Sequence, residues 1–482
     1  MSFAIHTSCD VGAAKAETRR HPPRYPKLVL TTTILASSLA FIDGSVVNVG
    51  LPAIGTTFQA GAGDLQWVVN AYLLPLSALL LLGGGAGDHF GRVRLLVVGT
   101  LIFGIASVGC AVAPSLPWLL LARCFQGIGA ALLMPNSLAI LGGSFSGEAR
   151  GRAIGTWASM GAVMGAGGPV LGGWLIDTVG WRSIFLVNIP LAVGAIALAL
   201  AFVRDAPTDQ KRQPLDIQGG ALATLALGGL TWGLTIGSGP SGWTSAALAL
   251  LAAGFALLVA FVWVEKTRGE DAMMPLALFA SSSFIGLTLL TLLLYGALGG
   301  LIVLLPYVLI RAAAYSATAA GATLLPFAVV LTLTSPLMGG LAGRIGSRVP
   351  LAVGSLMVAA GFLLILRVGP GGEYWTSVLP ALLLIAFGMA GAVAPLTTAV
   401  LASVDARHTG SASGLNSAVA RTGGLVATAL LGSVLGTVGP RLIEGFHIAA
   451  AVGALASVGA AAAAFLLVKD TPGDAPGRTE DA

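Results

Sequence analysis

One carboxyl group, that of Asp43, lies deep within an apolar stretch, residues 28–54, that is long enough to cross a membrane as a helix. An ionised carboxylate is poorly solvated in such surroundings, so an acid at this position is suited to binding and releasing a proton. It could exchange the proton with either side of a membrane, or release it when a cationic ligand arrives. The alternative is a structural acid held by hydrogen bonds from a neighbouring helix. The residues that share its helical face are small or apolar: Ala36, Leu39, Ala40, Val47 and Gly50.

Two arginines also lie inside apolar stretches. Arg123 falls near the start of segment 118–143, and Arg421 lies within segment 409–436. A guanidinium does not lose its proton, so each needs a carboxylate, backbone carbonyls or water. We predict that Arg123 favours deprotonation of Asp43 in one conformation and not in another; the alternative is an arginine that reaches the headgroups. Arg421 is a candidate substrate or counter-charge site, or a structural residue.

Other polar and aromatic side chains within these segments are candidates for substrate contact. Asn and Gln in membrane helices also bind neighbouring helices, and aromatic residues near segment ends also anchor the interface, so both readings stay open. We expect no metal, no cofactor and no enzymatic activity, because no histidine cluster and no nucleophile–base arrangement occurs in the sequence. The substrate-contact candidates are Asn48, Tyr72, Gln126, Asn136, Trp157, Tyr295, Asn416 and Arg421.

The composition indicates which solvent surrounds the elements that carry these residues. Charged residues make up 9% of the chain and apolar residues 56%, whereas soluble domains have about 25% charged residues. The mean hydropathy is +0.90. The chain is therefore expected to lie in a lipid bilayer, and its net charge of +5 concerns orientation in the membrane, not nucleic-acid binding.

Apolar segments of about 20 residues, the length that crosses a bilayer, divide the sequence. We predict fourteen spans and an all-α integral membrane protein. The predicted spans are 28–54, 65–86, 95–113, 118–143, 153–176, 182–203, 217–237, 244–264, 283–305, 318–340, 350–367, 376–402, 409–436 and 447–468.

Basic residues predict how these spans are oriented. The loops that follow odd-numbered spans contain only four basic residues, Arg182, Arg311, Arg367 and Arg441. The two tails and the loops that follow even-numbered spans are rich in Lys and Arg. Because basic loops stay inside, we expect both termini to be cytoplasmic.

A glycine-rich, charged turn follows the second span and recurs after the tenth. Asp88 and Gly91 in the first copy correspond to Gly343 and Gly346 in the second, at the same spacing. Such a repeat indicates a duplicated membrane unit. Eight spans separate the copies, where two six-span halves would give six, so two additional spans are predicted in the middle of the chain. The predicted parts are a tail (1–27), a six-helix bundle (28–203), an inserted two-helix region (204–282), a second six-helix bundle (283–468) and a tail (469–482).

Several motifs, in order, resemble the major facilitator superfamily, specifically its fourteen-span drug/proton antiporter branch. The first-span motif runs from Phe41 to Pro52, and the loop motif runs from Gly84 to Arg94, with His89 and Val93 where the family usually has basic residues. The remaining matches are Arg123–Ala131, the antiporter motif Gly168–Gly173, and Trp181–Pro190. The C-terminal half resembles the family mostly by pattern.

The resemblance implies a gating role for two of these motifs. In the loop, Gly84, Asp88, Gly91 and Arg92 are expected to form a cytoplasmic latch, with Asp88 facing the N-terminal end of the span that begins near Thr409. The alternative is a solvated turn. The motif residues Gly168, Pro169, Gly172 and Gly173 are expected to bend the fifth span and to seal a central cavity against proton leakage; the alternative is ordinary packing of small residues.

The resulting hypothesis is a proton-driven exporter of lipophilic drugs or antibiotics that works by alternating access, with the proton gradient in place of a cofactor. The resemblance also implies a bacterial cytoplasmic membrane. Because only one acid lies deep within a span, we expect small, lipophilic substrates that are neutral or monocationic. Separately, we expect the protein to be a monomer. The alternatives are export of an endogenous metabolite or lipid and, more distantly, a membrane sensor or enzyme.

Overall fold

The architecture is entirely helical in the part of the chain that the computed structural model describes, residues 25–145, 147–204, 216–269, 272–369, 373–404 and 409–469. Within these residues, thirteen helical segments are long and apolar enough to cross a membrane. The prediction of an all-α membrane protein is therefore confirmed. Most of the predicted N-terminal tail and nearly all of the C-terminal tail lie outside the described residues.

The first part of the chain forms six candidate spans. Helices α6 and α7 together make the sixth, because a short break at Val187 separates two pieces of one apolar segment. The helices are α1 (Pro26–Phe58), α2 (Ala62–Phe90), α3 (Arg92–Ala111), α4 (Leu116–Ser144), α5 (Gly147–Thr178), α6 (Ser183–Leu186) and α7 (Asn188–Phe202).

Two helices, α8 (Ile217–Ser238) and α9 (Ser245–Arg268), form a hairpin in the middle of the chain. Their backbones approach closely where Gly229 meets Gly254, since neither residue has a side chain. Helix α8 also packs against α2. A 3₁₀ turn, Leu276–Ala280, leads to the next helix.

The last part of the chain contains the remaining helices. Helices α11 and α12 form one candidate span, and a π-helical turn, Tyr374–Val378, extends α14. The helices are α10 (Ser282–Ala312), α11 (Ala317–Ala322), α12 (Leu325–Ile345), α13 (Arg348–Ile365), α14 (Leu379–Ala402), α15 (Thr409–Ala429), α16 (Gly432–Leu435) and α17 (Pro440–Leu467).

The predicted thirteenth segment, 409–436, is the one that lacks a counterpart among the thirteen candidate spans. It contains α15 and α16, and α15 carries Asn416 and Arg421 among several Ser, Thr and Gly residues, so it is less apolar than the other long helices. Helix α15 nonetheless packs along α10 and α2 as a full-length member of the bundle. The count of fourteen spans is consistent with the fold and stays a prediction.

The repeated turn has the same backbone conformation in both copies. Gly91 ends α2 with φ = 103°, and Gly346 ends α12 with φ = 86°. Only glycine adopts this region without strain, so it ends one helix and allows the next to begin within two residues. The repeat seen in the sequence is thus a repeat of structure.

We call the end of the bundle where α1 begins the proximal end, and the end where α1 finishes the distal end. Helix α1 packs against α4, α5 and α7 in the first half of the chain. The two halves meet where α2 packs on α15, where α5 packs on α11, and where α1 packs on α10. Helix α8 contacts both α2 and α15, so the hairpin lies beside one of these contacts.

Candidate functional site

A buried ion pair joins α1 to α4 in the middle of the bundle. The Asp43 side chain is 0% exposed and the Arg123 side chain 1% exposed, and Arg123 Nη1 donates to Asp43 Oδ2. Gly44, the next residue of α1, is exposed, and nothing lies within 4 Å of the position that a Cβ would take there. The pair is therefore enclosed, but open space begins one residue away along α1.

Gln126, one turn after Arg123 on α4, connects both partners of this ion pair. Its Oε1 accepts from Arg123 Nη1 at 2.9 Å, and its Nε2 donates to Asp43 Oδ1 at 3.2 Å. The same amide nitrogen lies 2.8 Å from Ser107 Oγ, which also accepts from Asn188 Nδ2 at 3.2 Å. Both carboxylate oxygens of Asp43 thus have donors, as a buried charge requires.

Helix α2 supplies the remaining contacts of Arg123. Arg123 Nε donates to the Val68 carbonyl oxygen at 3.1 Å. The guanidinium carbon lies 4.5 Å from the centre of the Tyr72 ring, a cation–π distance. Arg123 is therefore held on three sides, by Asp43, Gln126 and α2, and it keeps two of these contacts if Asp43 becomes neutral.

Glycines allow α2 and α4 to approach closely enough for these bonds. A Cβ on Gly127 of α4 would collide with the backbone of Tyr72, and a Cβ on Gly83 of α2 would collide with the Ala131 carbonyl. Small residues at such crossings bring helix backbones together in membranes. Arg123 can then reach a backbone carbonyl of the neighbouring helix.

The structure brings together the two residues predicted for proton coupling, and it changes the description of their surroundings. The neighbours of Asp43 on its own face of α1 are small or apolar, as predicted. The carboxylate itself, however, is paired with Arg123 of α4. Sequence reasoning missed Ser107, and Cys110 Sγ also donates to Gln126 Oε1 at 3.2 Å. Asn188 belongs to the motif Trp181–Pro190, which was a usable signal.

The Gly-Pro motif of α5 lies between α1 and α11. A Cβ on Gly168 would collide with Ser45, and one on Gly172 would collide with Val46, both on α1. Gly173 faces the backbone of Ala317 in the same way. The motif residues thus allow close helix contacts, and their role in sealing against protons stays a prediction.

A carboxylate closes the distal end between α5 and α11. Asp177 Oδ2 accepts from the backbone nitrogen of Thr318 at 2.8 Å and from its hydroxyl at 2.6 Å, and Oδ1 accepts from the Ala317 nitrogen at 3.2 Å. A Cβ on Gly321 would collide with the backbone of Pro169. The two halves of the chain are therefore in tight contact at this point.

A second distal contact joins α2 to α15. Gln66, 0% exposed, donates from Nε2 to the carbonyl oxygens of Thr428 at 2.9 Å and Ala429 at 2.8 Å. The hydroxyl of Ser238, on α8, donates to the same Ala429 oxygen at 2.7 Å. Toward the proximal end, by contrast, Gly151 and Gly155 of α5 have open space around them.

The loop motif at the proximal end of α2 contains an exposed ion pair. Arg92 Nε lies 2.8 Å from Asp88 Oδ1, and Arg92 Nη1 donates to the Ala139 carbonyl of α4 at 3.1 Å. Asp88 is 57% exposed in its side chain. Helix α15 begins at Thr409, but the surroundings of the Thr409 side chain lie outside the described residues, so the latch between Asp88 and this helix end stays a prediction.

Several substrate candidates are engaged in contacts between helices. Asn136 Nδ2 donates to the Gly83 carbonyl at 2.9 Å, Trp157 Nε1 donates to Ser37 Oγ at 3.0 Å, and Asn416 Oδ1 accepts from Thr291 Oγ1 at 2.7 Å. Tyr72 and Gln126 belong to the surroundings of the ion pair. Asn48 is buried in α1, and Tyr295 is half-buried in α10. Contact of any of them with a substrate stays a prediction.

A cavity of about 600 Å³ opens at the distal end of the bundle. It lies between α1, α5, α10 and α11, and Asp177 and Arg311 are among its lining residues. Within the described residues, no group of three or more His, Cys, Asp or Glu side chains is placed to hold a metal ion.

The sequence matches the profile of the Major Facilitator Superfamily over residues 33–291 and 287–482. It is 35% identical to the multidrug resistance protein Stp of Mycobacterium tuberculosis over 85% of this chain and 75% of that protein. It is 33% identical to the methylenomycin A resistance protein of Bacillus subtilis over 84% and 87% of the two chains. It is 29% identical to the tetracenomycin C resistance and export protein of Streptomyces glaucescens over 90% and 84%.

Solved structures agree with this fold. A bacterial homolog of the human lysosomal transporter Spinster, inward-facing and occupied, superposes with a TM-score of 0.65 at 19% identity, over 94% of this chain and 99% of that chain. The xylose transporter XylE of E. coli superposes with a TM-score of 0.61 at 16% identity, over 90% and 96%. The chain therefore belongs to the major facilitator superfamily, among relatives named for multidrug and antibiotic resistance.

Proposed function

We propose that this protein exports lipophilic drugs or antibiotics from bacteria in exchange for protons, by alternating access. The superfamily and the fold point to a transporter rather than an enzyme. The observation that carries the proton-coupling part is the buried pair of Asp43 and Arg123, which joins two membrane helices and lies next to open space at Gly44. Burial of an ionisable group within a membrane costs free energy, so acids that are kept in such positions usually have a function.

The coupling reaction is the transfer of a proton to the carboxylate of Asp43. The neutral acid no longer attracts Arg123 as an ion, but Gln126 and the carbonyl of Val68 still hold the guanidinium. The connection between α1 and α4 weakens, while that between α2 and α4 persists. Proton binding therefore changes the relative free energies of two arrangements of these helices, which is the requirement for coupling.

Alternating access in this proposal opens the distal contacts and closes the proximal ones. Asp177 and Gln66 hold the distal end together in the arrangement described above. With both termini cytoplasmic, as the basic loops predict, the distal end is external and this arrangement is open to the inside. The latch at Asp88 and the Gly-Pro motif of α5 are proposed to act as gating elements during the change.

The proposed substrates are small and lipophilic, neutral or monocationic, and the protein is proposed to act as a monomer in the bilayer. Export of an endogenous metabolite is the second candidate. One relative is named as a resistance and export protein for tetracenomycin C, and another, 32% identical, is named as a probable actinorhodin transporter. Both proposals share the same transport mechanism.

The test begins with growth of an efflux-deficient bacterial host on a panel of antibiotics, with and without this protein. A compound to which the protein confers resistance is then loaded into proteoliposomes, and its efflux is followed under an imposed pH gradient. We expect Asp43→Asn to abolish gradient-driven efflux but to retain exchange of labelled for unlabelled compound. Glu444→Gln, which removes an exposed acid of α17, is the matched control and should retain both activities. Full gradient-driven efflux by Asp43→Asn would refute the proposed coupling.

A further inference from the structure

Arg421 is a half-buried cation that has no carboxylate partner among the described residues. Its Nε atom is buried without a hydrogen bond, and its Nη2 lies 3.9 Å from the thioether sulfur of Met134. Among the described residues, ion pairs form at Arg92, Arg123 and Arg268, and none involves Arg421. A guanidinium cannot become neutral, so this charge is paired by water or by a ligand.

The side chain of Arg421 crosses from one half of the chain to the other. Positions 414, 418 and 421 share one face of α15, at spacings of four and three residues. Gly414 approaches Leu81 of α2, and Ala418 packs in the cluster that contains Tyr72 and Met134. Arg421 therefore extends from α15 toward α2 and α4, at the interface that must rearrange during transport.

The same interface contains the proton site. The Tyr72 ring centre lies 4.5 Å from the Arg123 guanidinium carbon, and Tyr72 packs in the same cluster as Met134, which Arg421 contacts. Asp43 and Arg123 neutralise each other within the first half of the chain. The charge left for a ligand at this interface is therefore positive.

We propose that Arg421 binds the acceptor group of the transported molecule, so that this carrier prefers lipophilic substrates with a carboxylate, a phenolate or a carbonyl group over lipophilic cations. The inference rests on the proposed export function; it keeps the neutral substrates of that proposal and replaces its monocations by monoanions. A ligand oxygen supplies the partner that the protein does not. A guanidinium binds a carboxylate through two parallel hydrogen bonds and donates to the single oxygen of a phenolate or carbonyl group. A monocation would meet an unpaired like charge and lose affinity.

The test compares three probes that share one ring system: 9-anthracenecarboxylate, its methyl ester and 9-(aminomethyl)anthracene. Binding to the full-length protein in nanodiscs is followed by anthracene fluorescence. For the wild type we expect the carboxylate to bind at least tenfold more tightly than the amine, with the ester between them. Arg421→Gln should reduce this preference at least tenfold, and Arg421→Lys should keep part of it.

Arg311→Gln is the matched control, since Arg311 is an exposed arginine that lines the distal cavity. It should leave the preference unchanged. Equal binding of carboxylate and amine by the wild type, failure of all three probes to bind, or loss of the preference in Arg311→Gln instead of Arg421→Gln would each overturn the proposal.

Thermal stability separates a binding role from a structural one. Removal of an unpaired, half-buried charge should leave the unfolding temperature of Arg421→Gln unchanged or higher, whereas removal of a structural contact would lower it. A lower unfolding temperature, with the probe preference intact, would assign Arg421 to packing. Binding in nanodiscs requires no pH gradient, so its outcome is independent of the Asp43→Asn efflux experiment.

Discussion

Replacement of one partner of the buried pair should have an effect that depends on which partner is removed. In Arg123→Gln, Asp43 loses its ion partner but can become neutral by binding a proton. In Asp43→Asn, Arg123 cannot become neutral, but it keeps the Val68 carbonyl, Gln126 and the Tyr72 ring. Leaving one charge of a buried pair without its partner typically costs about 3–5 kcal/mol.

The contacts in the structure refine these magnitudes. In Asp43→Asn the new amide oxygen can still accept one hydrogen bond from Arg123, and bonds to a charged group contribute about 1.5–3 kcal/mol. We therefore expect Asp43→Asn to lower the free energy of unfolding by about 2–3 kcal/mol at every pH between about 5 and 8. For Arg123→Gln we expect about 3–5 kcal/mol at about pH 8, where a proton is scarce, and about 1–2 kcal/mol at about pH 5.

The sign of the pH dependence follows from proton binding. In Arg123→Gln the buried carboxyl group of the folded protein binds a proton more readily than the same group in the unfolded chain. The folded state then carries more protons than the unfolded state, so its stability falls as the pH rises. The measurement is denaturant unfolding in mild detergent at several pH values.

Arg92→Gln is the control, because it removes an ion pair that is largely exposed. Such pairs contribute about 0–1 kcal/mol. The reasoning is refuted if Arg123→Gln loses no more stability than Arg92→Gln, or if its loss is the same at both ends of the pH range. The double variant Asp43→Asn/Arg123→Gln should be at least as stable as the less stable single variant, since it leaves no charge unpaired.

Three further outcomes are expected. Asp177→Asn weakens the bonds between α5 and α11, so a cysteine introduced at Val49, a buried residue that lines the distal cavity, should react faster with a thiol reagent; an unchanged rate would contradict the distal closure. Gly91→Ala places a side chain at φ = 103° and should lower stability by about 1–2 kcal/mol. Gly321→Ala puts a Cβ against the Pro169 backbone and should lower stability by about 1–3 kcal/mol. Gly340→Ala, at a helical site with open space, is the control for both glycine variants; a comparable loss there would contradict both explanations.

The all-helical membrane architecture could be predicted from the sequence because membrane helices leave a local signal. A span needs about 20 apolar residues whatever its neighbours are, so most helix positions follow from composition alone. The repeated turn also has a local cause, since Gly91 and Gly346 both adopt positive φ at the end of a helix. The thirteenth segment is the exception, because the polar residues of α15 weaken its signal.

The partners of the site could not be predicted to the same extent. A helix in lipid is apolar on nearly all its faces, so its pattern does not say which face meets which neighbour. The pairing of Arg123 with Asp43 was expected from their opposite charges alone. The sequence did not show how α1 and α4 are aligned so that the two side chains meet. The contact of Asp177 with α11 and the place of Ser107 next to Gln126 left no signal in the pattern of their own segments.

The sequence by itself determined the lipid environment of this protein, the approximate position of most of its helices, the turns that need glycine, and the rare charges that lipid would not tolerate unpaired. The tertiary structure decided how those charges are distributed: Asp43 is neutralised by Arg123 within one half, whereas Arg421 extends across the interface and has no carboxylate partner in the part of the chain that the structure describes. The physical reason is that an ion pair forms only when its two residues lie at the same depth in the membrane and face each other across the two helices. The depth and the rotation of each helix are fixed by the close packing of glycine faces between helices, and not by the composition of either helix.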